Sequence, residues 1–289
     1  MTPKDFEYFV PSSVNEAISL LSKYGDEAKA LAGGQSLLLL MKLRLAEPKY
    51  LVDLKKIQGL SYIKEDSEVL SIGAMTRHAD IESSDIIARK WPILFDTAKA
   101  IGHTQIRNRG TIGGSLCHAD PSADWLPAML VQDAEFIVSG KDGTRSVNAR
   151  EFFIGAFSTV LNSQELMTEI RIPSPKNGTV GSYLKLSMGP GDFAIVSVAI
   201  QMTFGDDDIC QDVALALGGV NEMPFRSAEA EDALRGKHID GNAVLAAAEG
   251  AFKSVSPISD LRASADYRKR MTRVFTKRAI EQALKRKKQ

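Results

Sequence analysis

Cysteine is nearly absent: the 289-residue chain carries only Cys117 and Cys210. Two distant thiols exclude a disulfide-stapled scaffold and a cysteine-only cluster held by one copy of the chain. They fit a reducing compartment. Long apolar runs are missing too, since the longest aliphatic stretches, 37–41 and 194–200, fall far short of the roughly 20 residues that span a bilayer. Net charge is also lacking. With 36 basic and 36 acidic residues, no global field favours nucleic acid or an acidic membrane. The basic end at Lys285, Arg286, Lys287 and Lys288 reads as a solvated helix terminus that suits the helix dipole. The four histidines, His78, His103, His118 and His238, show no zinc spacing, and adjacent Cys117-His118 rarely ligates one ion, so no metal site is expected. Nor does the start, Met1-Thr2-Pro3-Lys4-Asp5, contain an apolar signal region. A soluble, cytoplasmic protein is the expectation.

What the chain does have is glycine in pairs: Ala32-Gly33-Gly34-Gln35-Ser36 and Thr111-Ile112-Gly113-Gly114-Ser115. Adjacent glycines leave backbone N–H groups unobstructed and free to take positive φ, so successive amides can converge on an anion. A single Gly-Gly is more often a plain turn. Two that share a following hydroxyl point to a pyrophosphate held from both sides, and hence to a dinucleotide.

The surrounding pattern gives the loops a context. Ser13 and Glu16 form a capping box that opens a helix with Val14, Ala17, Ile18 and Leu21 on one face, and Gly25 ends it. A strand over 28–31 runs into the first loop, and Ser36 is placed to cap a buried helix over 37–45. Further strands are expected over 6–10, 50–54, 60–64 and 69–72, the last two joined by a polar turn at 65–67. Pro92 fits the first turn of a helix that points Ile93, Leu94, Ala98 and Ile101 inward. After the second loop, residues 121–124 open a helix through Leu130. Asp124, at its start, reads equally as a first-turn acid favoured by the dipole or as a carboxylate accepting from sugar hydroxyls. A hairpin follows across Asp142-Gly143, then an aromatic helix over 150–157 and a strand over 166–172.

Residues 173–178 are rich in turn formers and read as a linker, dividing the chain into domains 1–175 and 176–289. Beyond it come three strands with hairpin-length connections, then three helices, the last from Ala265 to about Lys285. That succession suggests a small α+β domain. One competing motif falls here. Gly189-Pro190-Gly191-Asp192-Phe193-Ala194 matches Gly-x-Gly-x-x-Ala, but a strand-like run follows where a dinucleotide fold requires a helix. No Walker sequence and no nucleophile–base arrangement can be argued from spacing, so no catalytic residue is expected and a cofactor must supply the chemistry.

The two glycine loops, together with Tyr50-Leu51-Val52-Asp53-Leu54, Ile72-Gly73-Ala74-Met75-Thr76, Glu169-Ile170-Arg171-Ile172-Pro173 and the late Tyr267-Arg268-x-x-Met271, resemble the FAD-binding medium subunit of the molybdenum hydroxylases. The nearest likeness is to the carbon monoxide dehydrogenase type. The resemblance covers essentially the whole chain. It implies an α+β fold: a two-lobed FAD-binding domain of the vanillyl-alcohol-oxidase type, then a small C-terminal domain with a three-stranded antiparallel sheet and a helix cluster.

It further implies a heterotrimer, arranged as a dimer of heterotrimers, with molybdopterin on a large subunit and two [2Fe–2S] clusters on a small one. This chain would take electrons from those clusters at FAD and pass them to an external acceptor, as part of a carbon monoxide, aldehyde or N-heterocycle dehydrogenase. A standalone FAD-dependent oxidoreductase is the alternative. By the same resemblance, Ala32, Gly33, Gly34, Gln35 and Ser36 with Thr111, Ile112, Gly113, Gly114 and Ser115 hold the FAD pyrophosphate. Asp124 takes the adenosine side, Leu161 and Leu166 lie close to the cofactor, Lys185 is a polar flavin contact, and Phe193 stands beside the isoalloxazine. The lack of further cysteines disfavours the reductase branch that carries an extra cluster in this subunit.

Overall fold

The computed structural model describes residues 2–66 and 68–287. Ser67, in the expected turn at 65–67, and Lys288, in the basic end, lie outside the described residues. The first lobe is built from β1 (Glu7–Phe9), α1 (Val14–Tyr24), β2 (Ala28–Leu31), α2 (Leu37–Lys42) and β3 (Tyr50–Asp53). Its strands form a parallel sheet in the order β1-β3-β2. Ser13 caps α1 by accepting the Glu16 N–H, whereas the Glu16 carboxylate reaches back to Ser12 rather than closing the box on Ser13. Ala17, Ile18 and Leu21 are buried on one side of α1 against β2 and β3, the spacing that puts residues on one helical face. Fully burying each of the larger side chains contributes about 1.5–3 kcal/mol.

The second lobe contains β4 (Ile63–Glu65), β5 (Val69–Gly73), α3 (His78–Glu82), α4 (Asp85–Lys90), α5 (Pro92–Ala100), α6 (Thr104–Arg107), α7 (Ile112–His118) and α8 (Trp125–Val131). It continues through β6 (Glu135–Gly140), β7 (Gly143–Asn148), α9 (Ala149–Phe152), β8 (Phe153–Gly155), β9 (Ser158–Thr159) and β10 (Leu166–Pro173). Five strands form an antiparallel sheet in the order β4-β5-β10-β6-β7, and β8 and β9 form a separate pair. Pro92 occupies the first turn of α5, as its missing N–H allows. The aromatic segment expected as one helix divides instead. α9 ends at Phe152, and Phe136, Phe152 and Phe153 pack edge-to-face in the core, which pulls the chain after α9 into a strand.

The C-terminal unit comprises β11 (Thr179–Leu186), β12 (Val196–Phe204), β13 (Cys210–Gly218), β14 (Phe225–Arg226), α10 (Ala228–Asp232), α11 (Gly241–Ser254) and α12 (Ala265–Lys287). The sheet order is β11-β12-β13-β14, so a fourth, two-residue strand extends the three that were expected. This sheet is two-faced. Val198, Ile200, Met202, Val213, Leu215 and Leu217 face the helix cluster, while Ala199, Ala214 and Ala216 face the second lobe. Small residues allow a close approach there: a β-carbon on Gly181 would fall 2.5 Å from Ile93 Cδ1.

Charge ties the same seam. The Arg286 guanidinium grips Asp96 of α5 in a bidentate pair at 2.7 and 2.8 Å. Arg268, from the motif late in the sequence, is a structural residue. It is buried and donates to Ile195 O and Gly219 O while pairing with Asp260. Among the described residues no helix is long and apolar enough to cross a membrane.

Candidate functional site

A cleft of about 750 Å³ opens between the first and second lobes, with Gly191, Asp192 and Phe193 of the loop before β12 also on its wall. This lies within the roughly 300–1,000 Å³ of small-molecule sites. Both glycine segments line it, and they touch each other. A β-carbon on Gly33 would stand 2.2 Å from Arg109 O and 2.7 Å from Gly110 Cα, so only glycine lets the two backbones meet.

The first loop leaves β2 and turns through Gly34, whose φ of +74° belongs to the left-handed region that side chains disfavour. The N–H groups of Gly33, Gly34, Gln35 and Ser36 donate to no protein acceptor among the described residues. Four consecutive free amides at the wall of a cleft make an anion-binding nest. Ser36 makes no side-chain cap bond to α2, which is shorter than the expected 37–45 and not buried. Of that apolar run only Met41 is buried, and Leu38, Leu39, Leu43 and Leu45 are exposed.

The second loop is built differently. Thr111 caps α7, its Oγ1 accepting the Gly114 N–H at 3.2 Å. The Ile112 N–H donates to Thr76 O, the Gly113 N–H to Ala74 O and the Ser115 N–H to Thr111 O. Every amide from 112 to 115 is therefore engaged within the protein, contrary to the expectation of open amides in both loops. Gly113 serves packing, because its β-carbon would meet Ala74 Cβ at 2.6 Å. Thr111, Gly113, Gly114 and Ser115 of this segment line the cleft, and with the amides engaged the polar side chains it can offer there are those of Thr111 and Ser115.

Of the other expected residues, Asp124, Leu161, Leu166 and Phe193 line the cleft as well. Phe193 is exposed, with the Arg262 guanidinium 5.3 Å from its ring centroid. Two residues do not line it. Ile112 is fully buried in the core of the second lobe, as an apolar side chain one position before the glycine pair permits. Lys185 is not on the cleft wall, and its ammonium lies 3.0 Å from Asp124 Oδ1 and 2.7 Å from Ala100 O. Asp124 is buried, and Tyr183 donates to its Oδ1 at 2.5 Å. Burial pushes the Asp124 carboxyl above the usual carboxylate range, while Lys185 and Tyr183 pull it back.

Sequence reasoning passed over His78. It stands on the cleft wall, nearly buried, with its backbone N–H on Gly110 O and its ring beneath Gly110. Trp125 Nε1–H donates to His78 Nδ1 at 3.1 Å, which places the imidazole proton on Nε2. Burial, with Arg107 nearby, lowers its pKa to about 4, so the ring is neutral. A lone histidine in a polar stretch gives no signal of this; only the pairing with Trp125 across the fold does. Cys117 also lines the cleft, but burial raises its thiol to about 12 and keeps it protonated.

Comparison with known proteins fits this geometry to a class. Residues 4–175 match the FAD binding domain in molybdopterin dehydrogenase, and residues 182–283 match the CO dehydrogenase flavoprotein C-terminal domain. The carbon monoxide dehydrogenase medium chain of Hydrogenophaga pseudoflava is 40% identical over 283 residues, 98% of each chain. The glyceraldehyde dehydrogenase medium chain of Sulfolobus acidocaldarius is 38% identical over 282 residues, 98% of this chain and 99% of that one. Among solved structures, carbon monoxide dehydrogenase from Hydrogenophaga pseudoflava, in a form lacking the Mo-pyranopterin moiety, superposes with a TM-score of 0.96 at 41% identity over 99% of both chains.

The chain belongs to the family of FAD-binding medium subunits of the molybdopterin-containing dehydrogenases. It is an oxidoreductase subunit, and the alternative of a standalone flavin oxidoreductase falls, because the relatives matched end to end are medium chains. The cleft fits FAD on its own evidence: a nest of free amides for an anion, hydroxyl residues of the second glycine segment, and apolar and aromatic lining that includes Leu161, Leu166 and Phe193.

Proposed function

We propose that the cleft holds FAD non-covalently, with its pyrophosphate on the amides of Gly33, Gly34, Gln35 and Ser36. Four unengaged N–H groups in succession carry this reading. Ser36, Thr111 and Ser115 add hydroxyl donors from both sides, and Asp124 accepts from the adenosine end. Leu161, Leu166 and Phe193 shield the ring system from water. FAD, when bound, supplies the capacity to take electrons one at a time and release them singly or in pairs. The chain's own residues bind and orient. The division of labour follows domains 1–175 and 176–289, the first supplying both glycine loops.

As a medium subunit the protein works in the cytoplasm beside a large molybdopterin subunit and a small iron–sulfur subunit, as a dimer of heterotrimers, and delivers electrons to an external acceptor. Replacing Gly34 with valine tests the nest directly. At φ +74° a β-branched residue is strained, and its Cβ would lie 2.8 Å from Leu38 Cδ1, so the amides turn aside. Loss of two charge-assisted bonds weakens FAD binding by about a hundredfold. Fluorescence titration of the full chain with FAD measures it, and an unchanged affinity overturns the assignment. Affinity capture from native cells tests the partners: two further chains with iron and molybdenum are expected, and a lone yellow protein would refute the assembly.

A further inference from the structure

The C-terminal unit reaches the cleft at a second place besides the loop of Phe193. Tyr183 and Lys185 lie two apart on β11 and therefore point to the same face of the sheet. That face packs on α5 and α8 of the second lobe. Both side chains end on Asp124. The Tyr183 hydroxyl donates to Oδ1 at 2.5 Å, and the Lys185 ammonium lies 3.1 Å from Oδ2 and 3.0 Å from Oδ1. The ammonium is fixed from behind by Ala100 O, at the end of α5. Asp124 is the cleft-lining member of the three, and Tyr183 and Lys185 are not exposed to the cleft. A buried carboxylate needs such partners, because an unpaired one would take up a proton instead.

We propose that Tyr183 and Lys185 are positioning residues that hold the Asp124 carboxylate ionised and aimed into the cleft, so that the C-terminal unit completes the site for the hydroxyl-bearing adenosine end of FAD. This rests on the proposed FAD cleft. The ionised carboxylate accepts from sugar hydroxyls, whereas the protonated acid offers one acceptor fewer and a competing donor. Around the trio, Asp96 of α5 accepts the Tyr183 N–H and is itself held by Arg286 of α12. On the cleft wall nearby, α3 contributes His78, α7 contributes Cys117 and His118, and the following turn contributes Asp120. His78 and His118 are both lowered by burial, so neither supplies a positive charge near neutrality that could replace Lys185.

Titration of the full-length protein with FAD from pH 5 to 9, read by flavin fluorescence, tests the inference. Tyr183→Phe is expected to weaken binding about tenfold, the range of a hydrogen bond to a charged group. Lys185→Met is expected to weaken it at least as much. Both should move the acid limb of the affinity profile to higher pH, because without these partners Asp124 protonates earlier as pH falls. Lys185→Arg should restore the limb. In an Asp124→Asn background Tyr183→Phe should cost no further affinity. A variant that loses affinity by the same factor at every pH, or that loses it equally in the Asp124→Asn background, would show a merely structural role and overturn the inference. If Tyr183→Phe does not fold, Lys185→Met against Lys185→Arg carries the same decision. Failure of the unaltered protein to bind FAD would refute the cleft assignment instead, which separates the two.

Discussion

The two glycine loops look alike in sequence and do different work. The first turns through a left-handed Gly34 and leaves four amides open. The second is the first turn of a helix, has no residue at positive φ in 111–115, and spends its amides on Thr76, Ala74 and its own Thr111. Glycine is required in both, but for separate reasons. Gly34 is needed for its conformation, and Gly33 and Gly113 are needed because another backbone stands where a side chain would go. A paired glycine therefore marks a place where a side chain is not tolerated, without saying whether a ligand or the protein itself fills the space.

The largest effect should come from the contact that joins the loops. Gly33→Val forces a side chain onto Arg109 and Gly110 backbone atoms within 3 Å, and loss of at least about 3 kcal/mol of stability is expected. Denaturant unfolding measures it, and a loss under about 1 kcal/mol would show that the loops do not need to touch.

The second loop's support should be sensitive to acid. His78 beneath Gly110 has a folded pKa of about 4 against 6.5 for the free side chain. Because the folded value is depressed, its contribution is intact above pH 6.5 and is lost as pH falls toward 4, where the unfolded state binds the extra proton. The loss amounts to about 3 kcal/mol by pH 4, as an order of magnitude. His78→Gln should flatten that part of the stability–pH curve. An equally steep fall in the variant would assign the acid limb to other groups.

Smaller effects separate the hydroxyls. Thr111→Val removes the cap of α7 and should lower stability by about 1 kcal/mol. Ser36→Ala removes no cap bond, so stability should stay within about 0.5 kcal/mol while FAD affinity falls about fivefold. If Ser36→Ala lowers the melting temperature as much as Thr111→Val does, the contrast between a hydroxyl that caps a helix and one that does not is wrong.

Local signals were legible where the chain answers mainly to its neighbours. The Ser13 cap, Pro92 in the first turn of α5 and the hairpin at Gly143 were all readable, because each depends on a few adjacent residues. The run 37–45 misled because hydrophobicity does not state which face will be covered, and four of its leucines remain exposed. The segment 150–157 misled because its aromatics are claimed by one another and by Phe136, overriding helix propensity. β14 was too short to leave a period. At the site, the first loop, Asp124 and Phe193 were found at the cleft, whereas Ile112 and Lys185 were not.

The sequence by itself determined the local caps and turns, the two places where side chains are excluded, and the motifs that assign the family. Those properties reside in local backbone sterics and in residue identity, which need no distant partner. Only the tertiary structure decided which amides stay open, that His78 is a neutral ring held by Trp125, and that Lys185 reaches Asp124 rather than the cleft. Each of those depends on whether folding brings a hydrogen-bond partner from elsewhere in the chain within reach, as Thr76 O and Ala74 O reach the second loop and Trp125 reaches His78.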